Sequence, residues 1–429
     1  MPDPFAPPPV PLSGGRLAIA PDVVEVRGKV TFEPSARAAA AFAEVRFRVE
    51  DPGGCPALDL RQDLDGLRLD GAALDVAAFA PVDLGGGAGA QMRVLDVEVP
   101  AGDHTVALDY QLAQPAAEGA LPVEWRGGDG VRWDLWMSDL HPGRYLEMWV
   151  PAPLCHDRFA LTLEVELAGT RRPHTVVTNG EVTVTARGWE VRFPAHFTSL
   201  SPMLVVAPTD EVEQRETTVA LPGRRSPLAV RTVRHLDVDA DLAACEADVA
   251  AWLAYLAQRY GPWAHGDAMT TFLWGPGRGM EYDGATTASV AALEHEVFHS
   301  WFGRGVKPAR AGDGWIDEAW TSWATSTRRS EGPRFAADPL DLDGDPVELR
   351  PAHPWARFTP VGSYTAGARL FSGLAHLLGG PGPMRSAMAA WYRDNAGGLV
   401  TTDGLEAHLR SWSGVDIGPW WRRYVHGGR

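Results

Sequence analysis

Two different spacings of apolar and polar residues divide the chain. From about Val23 to Val219, short stretches alternate residue by residue, as in Val24-Glu25-Val26-Arg27, Glu44-Val45-Arg46-Phe47-Arg48-Val49, Val94-Leu95-Asp96-Val97-Glu98-Val99 and Leu161-Thr162-Leu163-Glu164-Val165-Glu166-Leu167. A period of two sends successive side chains to opposite faces of a strand, and Gly, Pro and Asp clusters interrupt the stretches. This half is predicted to be antiparallel β structure with one wet face. From about Ser226 the spacing changes. Leu228 to Val233 reads as a strand, and Leu242, Cys245, Val249, Trp252, Leu253 and Leu256 recur at helical spacing over residues 240–259. A strand from Thr270 to Trp274 then meets a Gly275-Pro276-Gly277 turn, and the C-terminal stretch is helical by pattern, including Leu370 to Leu378 and Ala387 to Tyr392. The expectation is a multidomain α+β protein: an N-terminal all-β domain over 1–222, a sandwich or saddle of antiparallel strands, followed by a mainly α domain over 223–429.

Composition narrows the classes. With 429 residues, 45% hydrophobic and 22% charged, the chain has enough apolar material for two cores and is not disordered. A net charge of −16 argues against a phosphate-binding surface and so against nucleic acid, and mildly favours cationic ligands such as peptide amino termini. No apolar run is long enough to span a membrane. The start, MPDPFAPPPVPLSGG, lacks the basic and apolar regions of a signal peptide and reads as a flexible proline-rich leader over 1–15. Three widely separated cysteines, Cys55, Cys155 and Cys245, fit a reducing cytoplasm better than a disulfide framework. Nothing in the sequence sets the oligomeric state.

Candidate chemistry is concentrated in His295-Glu296-Val297-Phe298-His299 and, eighteen residues later, Glu318. Two histidines four apart on a helix project from one face, so their nitrogens can converge on one ion while Glu296 points beside it. A neighbouring helix can supply the third, carboxylate ligand, Glu318. Ala291, Ala292, Val297, Phe298, Trp301 and Phe302 make the histidine helix apolar on much of its circumference, which implies burial rather than two solvated surface histidines.

The segment from Glu294 to Ala319 resembles the zinc aminopeptidases of the aminopeptidase N and leukotriene hydrolase family, the M1 gluzincins. Trp301-Phe302-Gly303, Val306-Lys307-Pro308 and Ile316-Asp317-Glu318 stand where that family has Trp-Phe-Gly, Val-x-Pro and its third-ligand motif. Gly279-Met280-Glu281-Tyr282 resembles the family's G-x-M-E-N motif, with Tyr282 in place of Asn and Arg278 where glycine is usual. Ser363 to Leu370 looks like its Tyr-x-x-Gly-Ala stretch. The resemblance implies a thermolysin-like catalytic domain holding one zinc per chain through His295, His299 and Glu318. It makes Glu296 the general base and then proton donor, Tyr364 the donor to the developing oxyanion, and Glu281, beside Gly279 and Met280, the anchor for the substrate's α-amino group. Peptides with a free N-terminus are the implied partners, and the chain corresponds to a short form without the C-terminal helical domain of larger relatives, hence with a more open cleft.

Some positions depart from the family pattern. Thr325 stands where many relatives carry an acidic residue seven positions after the third ligand, leaving Glu294, Asp317 or a backbone carbonyl to orient the histidines. Arg144 and Pro151, with Cys155 and Asp157 shifted, are faint counterparts of a family motif in the β domain, and Asp139 or His141 is a candidate to complete the amine pocket. Met280, and more weakly Trp274, border the side-chain pocket. The same zinc chemistry would also serve a specialised processing protease or a hydrolase of non-peptide amides or esters, and a third alternative is a catalytically decayed peptide-binding protein.

Overall fold

The structure, a computed structural model, describes residues 5–112, 123–138, 140, 145–154, 156–328, 335 and 338–428. The chain divides into two compact units: residues 1–212 with 353–357, and residues 213–352 with 358–429. The fold is mixed α+β.

The first unit is built on an eight-stranded sheet whose central strands are Asp22–Glu33 and Ala38–Val49. Their alternation does what the sequence implies: Val26, Val30 and Phe32, with Ala43, Val45 and Phe47, are buried, while the intervening residues reach the other face. Two pairings depart from the antiparallel expectation. Ala160–Leu167 runs parallel to Asp22–Glu33, and Leu17–Ile19 runs parallel to Cys55–Leu58. Alternation specifies which face a side chain occupies but not the direction of its neighbour, and long intervening segments make parallel pairing possible. Part of the predicted strand over Val94 to Val99 is also not strand, because Gln91–Leu95 ends at Leu95. The proline-rich start is tied into this unit: Val10–Pro11 pairs antiparallel with Leu17 and Ala18, and the Trp355 indole donates to the Pro8 carbonyl at 2.9 Å. Arg357, fully buried, bridges Asp59 at 2.9 Å and Glu147 at 3.4 Å.

The second unit has a five-stranded sheet in the order Val212–Val219, Leu228–His235, Ala268–Leu273, Ala285–Ala288, Gly279–Tyr282. The three inner strands are parallel, and Gly279–Tyr282 returns antiparallel along the edge, with Glu281 opposite Thr286. Helix α1, Leu242–Arg259, makes the first crossover; the Asp241 carboxylate caps it by accepting from the amides of Ala243 and Ala244. The remaining helices are α2 (Leu293–Phe298), α3 (Trp315–Arg328), α4 (Ala366–Leu377), α5 (Pro381–Asn395), α6 (Thr402–Ser413) and α7 (Gly418–Tyr424). Their shared core is strongly aromatic, with Trp301, Trp315, Trp320, Trp323, Phe371 and Trp421 all buried. Among the described residues, no helix is long and apolar enough to cross a membrane.

Candidate active site

All the candidate residues of the second half lie in the second unit, and two helices, one of them with its capping residue, carry the three candidate metal ligands. Helix α2 is shorter than its apolar pattern suggests: it ends at Phe298, and Trp301 and Phe302 lie in the turn beyond it. His299 still keeps helical backbone angles, and its amide donates to the His295 carbonyl at 3.3 Å, so the four-residue spacing brings both imidazoles to one face. Glu318 lies in the first turn of α3. Gly367 in α4 lies so close to α3 that a Cβ there would overlap Ala319, and this approach carries Tyr364, in the turn just before α4, to Glu318.

The donor atoms converge. His299 Nε2 is 2.9 Å from His295 Nε2, His295 Nε2 is 3.0 Å from Glu318 Oε2, and His299 Nε2 is 3.4 Å from the same oxygen. Burial alone would lower the His299 pKa, yet the Glu281 and Glu318 carboxylates outweigh it and hold the imidazole well above its ordinary value. Burial would likewise raise Glu318, but the two histidines hold it well below the usual carboxylate range. Two imidazole nitrogens and one carboxylate oxygen aimed at a common point in a site that favours positive charge form a donor set that fits zinc.

Around this centre the other candidates are also brought in. Glu296, 6% exposed, places a carboxylate oxygen within 4.8 Å of donor atoms of both His299 and Glu281. The Tyr364 hydroxyl donates to Glu318 Oε1 at 2.5 Å, and its ring stacks on His295 with centroids 5.8 Å apart. Arg278, Gly279, His295, Glu296, Thr325 and Tyr364 line a cleft of about 550 Å³. Met280 is buried, and Gly279 rather than Met280 forms the cleft wall. The half-buried Trp274 is covered by the Arg278 guanidinium, 3.8 Å from its ring centroid. Asp139, His141, Arg144 and Cys155 lie outside the described residues.

A backbone carbonyl and a hydroxyl lie behind the buried histidine. His299 Nδ1 is 3.1 Å from the Phe302 carbonyl oxygen and 3.4 Å from Thr321 Oγ1. The Thr325 hydroxyl donates to the Thr321 carbonyl at 2.7 Å, and Glu294 is paired with Arg328. An added Cβ at Gly279 would overlap the Glu296 carboxylate. Gly279→Ala is therefore expected to lower kcat by about 10–100-fold through displacement of that carboxylate. Zinc content and melting temperature should stay at wild-type values; unchanged kcat would show that Glu296 is free to move.

Sequence reasoning missed a set of buried ion pairs behind the centre. Arg304 Nη2 donates to Glu281 Oε1 at 2.7 Å, and Lys307 Nζ lies 2.7 Å from Asp283 Oδ1, which is also 3.6 Å from His265 Nδ1. The signal was present as two acids alternating in one apolar segment, Glu281 and Asp283, and two cations in another, Arg304 and Lys307. Lys307→Met should cost about 3–5 kcal/mol in urea unfolding by leaving Asp283 buried without its cation. Adding Asp283→Asn should recover much of that loss, and additive losses would mean that the two groups do not interact.

No protein-family model matches the sequence, and a search of the curated proteins finds no match. Solved structures do match. An M1 zinc metallopeptidase from Deinococcus radiodurans superposes with a TM-score of 0.65 at 19% identity, over 94% of this chain and 93% of that one. Legionella pneumophila aminopeptidase A, solved with aspartic acid, gives 0.69 at 15% identity over 95% of this chain, which spans 49% of that larger protein. Yeast LTA4 hydrolase gives 0.59 at 15% identity, over 94% of this chain and 68% of that one. Across nearly its whole length, the chain has the fold of the M1 zinc metallopeptidases.

Proposed function

We propose that the protein is a zinc-dependent aminopeptidase that hydrolyses the N-terminal peptide bond of peptides. The observation that carries this reading is the convergence of His295, His299 and Glu318 within 2.9–3.4 Å, with Glu296 and Glu281 alongside and not needed as ligands. Among proteins of this fold, a variant of the Deinococcus enzyme is described with a Tyr-Ser-Ala substrate, which supports a peptide in the equivalent cleft here. When bound, zinc would polarise the scissile carbonyl and acidify the attacking water.

The chain's own residues divide the remaining work. Glu296 takes a proton from the attacking water and returns it to the leaving amine, so that water adds across the peptide bond with hydroxyl to carbon and hydrogen to nitrogen. The Tyr364 hydroxyl, at the edge of the ligand set, donates to the carbonyl oxygen as negative charge gathers on it. Glu281 receives the substrate's ammonium at a fixed distance from the reacting carbonyl, which confines cleavage to the first bond. Cys55 and Cys245 are buried free thiols, which supports a reducing compartment, the cytoplasm.

Metal analysis tests the reading. The purified protein should contain one zinc per chain, lose peptidase activity on dialysis against a chelator, and regain it with zinc. Activity that survives complete metal removal would overturn it.

A further inference from the structure

We infer that Arg304 is the positioning residue that holds Glu281 as the amine anchor, so that selection of free-amine substrates depends on a guanidinium buried behind the cleft. The inference rests on the aminopeptidase reading and deepens it. Two ion pairs join the strand Gly279–Tyr282 and the residue after it to the loop beyond α2. One of them, Asp283 with Lys307, faces His265 and joins the two segments away from the donor atoms of the centre. The other differs in what it touches: Glu281 has a carboxylate oxygen within 4.8 Å of donor atoms of both Glu296 and His299.

Arg304 is placed with little freedom. Its amide donates to the carbonyl of His299 at 2.9 Å, and the Val306 amide donates to the Trp301 carbonyl at 2.9 Å, closing a tight turn directly after the metal-binding helix. Gly303 in that turn has φ +111°, and a Cβ there would meet Asp317 Oδ2 at 2.6 Å, so the turn packs against α3 too closely to admit a side chain. The side chains of Arg304 and Glu281 are only 2% and 4% exposed. With Oε1 taken by Arg304, the carboxylate is held in one orientation and its other oxygen is the one left for an incoming ammonium. The same turn thus sets a zinc ligand and the amine anchor relative to each other. Without the guanidinium, nothing would fix the orientation of the Glu281 carboxylate, and like-charge repulsion from Glu296 beside it would turn it away.

The test uses the zinc-loaded full chain and two probes that differ only in the α-amino group: leucine hydroxamate and 4-methylpentanoyl hydroxamate, with dissociation constants measured by calorimetry. Wild type should prefer the amino compound. Arg304→Met should reduce that preference by about tenfold or more while the des-amino compound binds as before and zinc content stays at one. Arg304→Lys should restore part of the preference. A merely structural role would weaken both probes equally or neither, and either result overturns the inference. If Arg304→Met does not fold, the Glu281→Gln/Arg304→Met pair, which removes both charges, is compared with Glu281→Gln; equal preference in the two supports action through Glu281, and a further loss in the pair overturns it. A wild type with no preference would instead sink the aminopeptidase reading itself.

Discussion

Glu296→Gln should lower kcat by about 10³–10⁴-fold and leave zinc bound. The glutamate lies between the two histidines in sequence, so helix geometry brings it beside the centre without making it a ligand. It lines the cleft wall next to Gly279, where the proposed mechanism puts the attacking water and the leaving nitrogen. Glutamine keeps its volume and its ability to hydrogen-bond while removing the proton acceptor, so binding of a substrate should change little and KM should stay within a few-fold. The measurement is steady-state kinetics together with metal content on the same sample. Loss of zinc with retained folding would mean that Glu296 belongs to the ligand set and that the base lies elsewhere.

His299→Ala should abolish zinc binding and activity together. This side chain is fully buried, meets His295 and Glu318 through Nε2, and is held from behind by the Phe302 carbonyl. Groups that merely orient ligands are worth about 10–100-fold in metal affinity, so removal of a ligand should cost more than that. The thermal signature separates this from general damage. An ion that binds only the folded state stabilises it, so a chelator should lower the wild-type melting temperature. The variant should melt lower and show no further chelator response. A chelator-sensitive melting temperature in His299→Ala would show that the ion is held without His299.

The convergence of His295, His299 and Glu318 was legible in the sequence because the two histidines share one turn of helix and the glutamate lies in the first turn of the next. Tyr364 and Glu281 were legible only by resemblance, since a lone tyrosine or glutamate has no spacing that points to a centre formed by packing α4 against α3 or by an edge strand. Arg304, Lys307 and Asp283 escaped for the same reason, as ion pairs between segments more than twenty residues apart leave no period. In the β half, alternation correctly assigned faces for Val26, Val45 and Phe47, but strand direction is decided by long connections, so the two parallel pairings were not foreseen. The histidine helix was read as too long because Trp301 and Phe302 are buried by a turn rather than by helical spacing.

The central claim, an exopeptidase centre that needs both zinc and a free substrate amine, is tested most directly by assaying the zinc-quantified protein on aminoacyl fluorogenic amides and on the same compounds N-acetylated. Hydrolysis of the free-amine set alone, abolished by a chelator, is the predicted result; comparable hydrolysis of the acetylated set would contradict it.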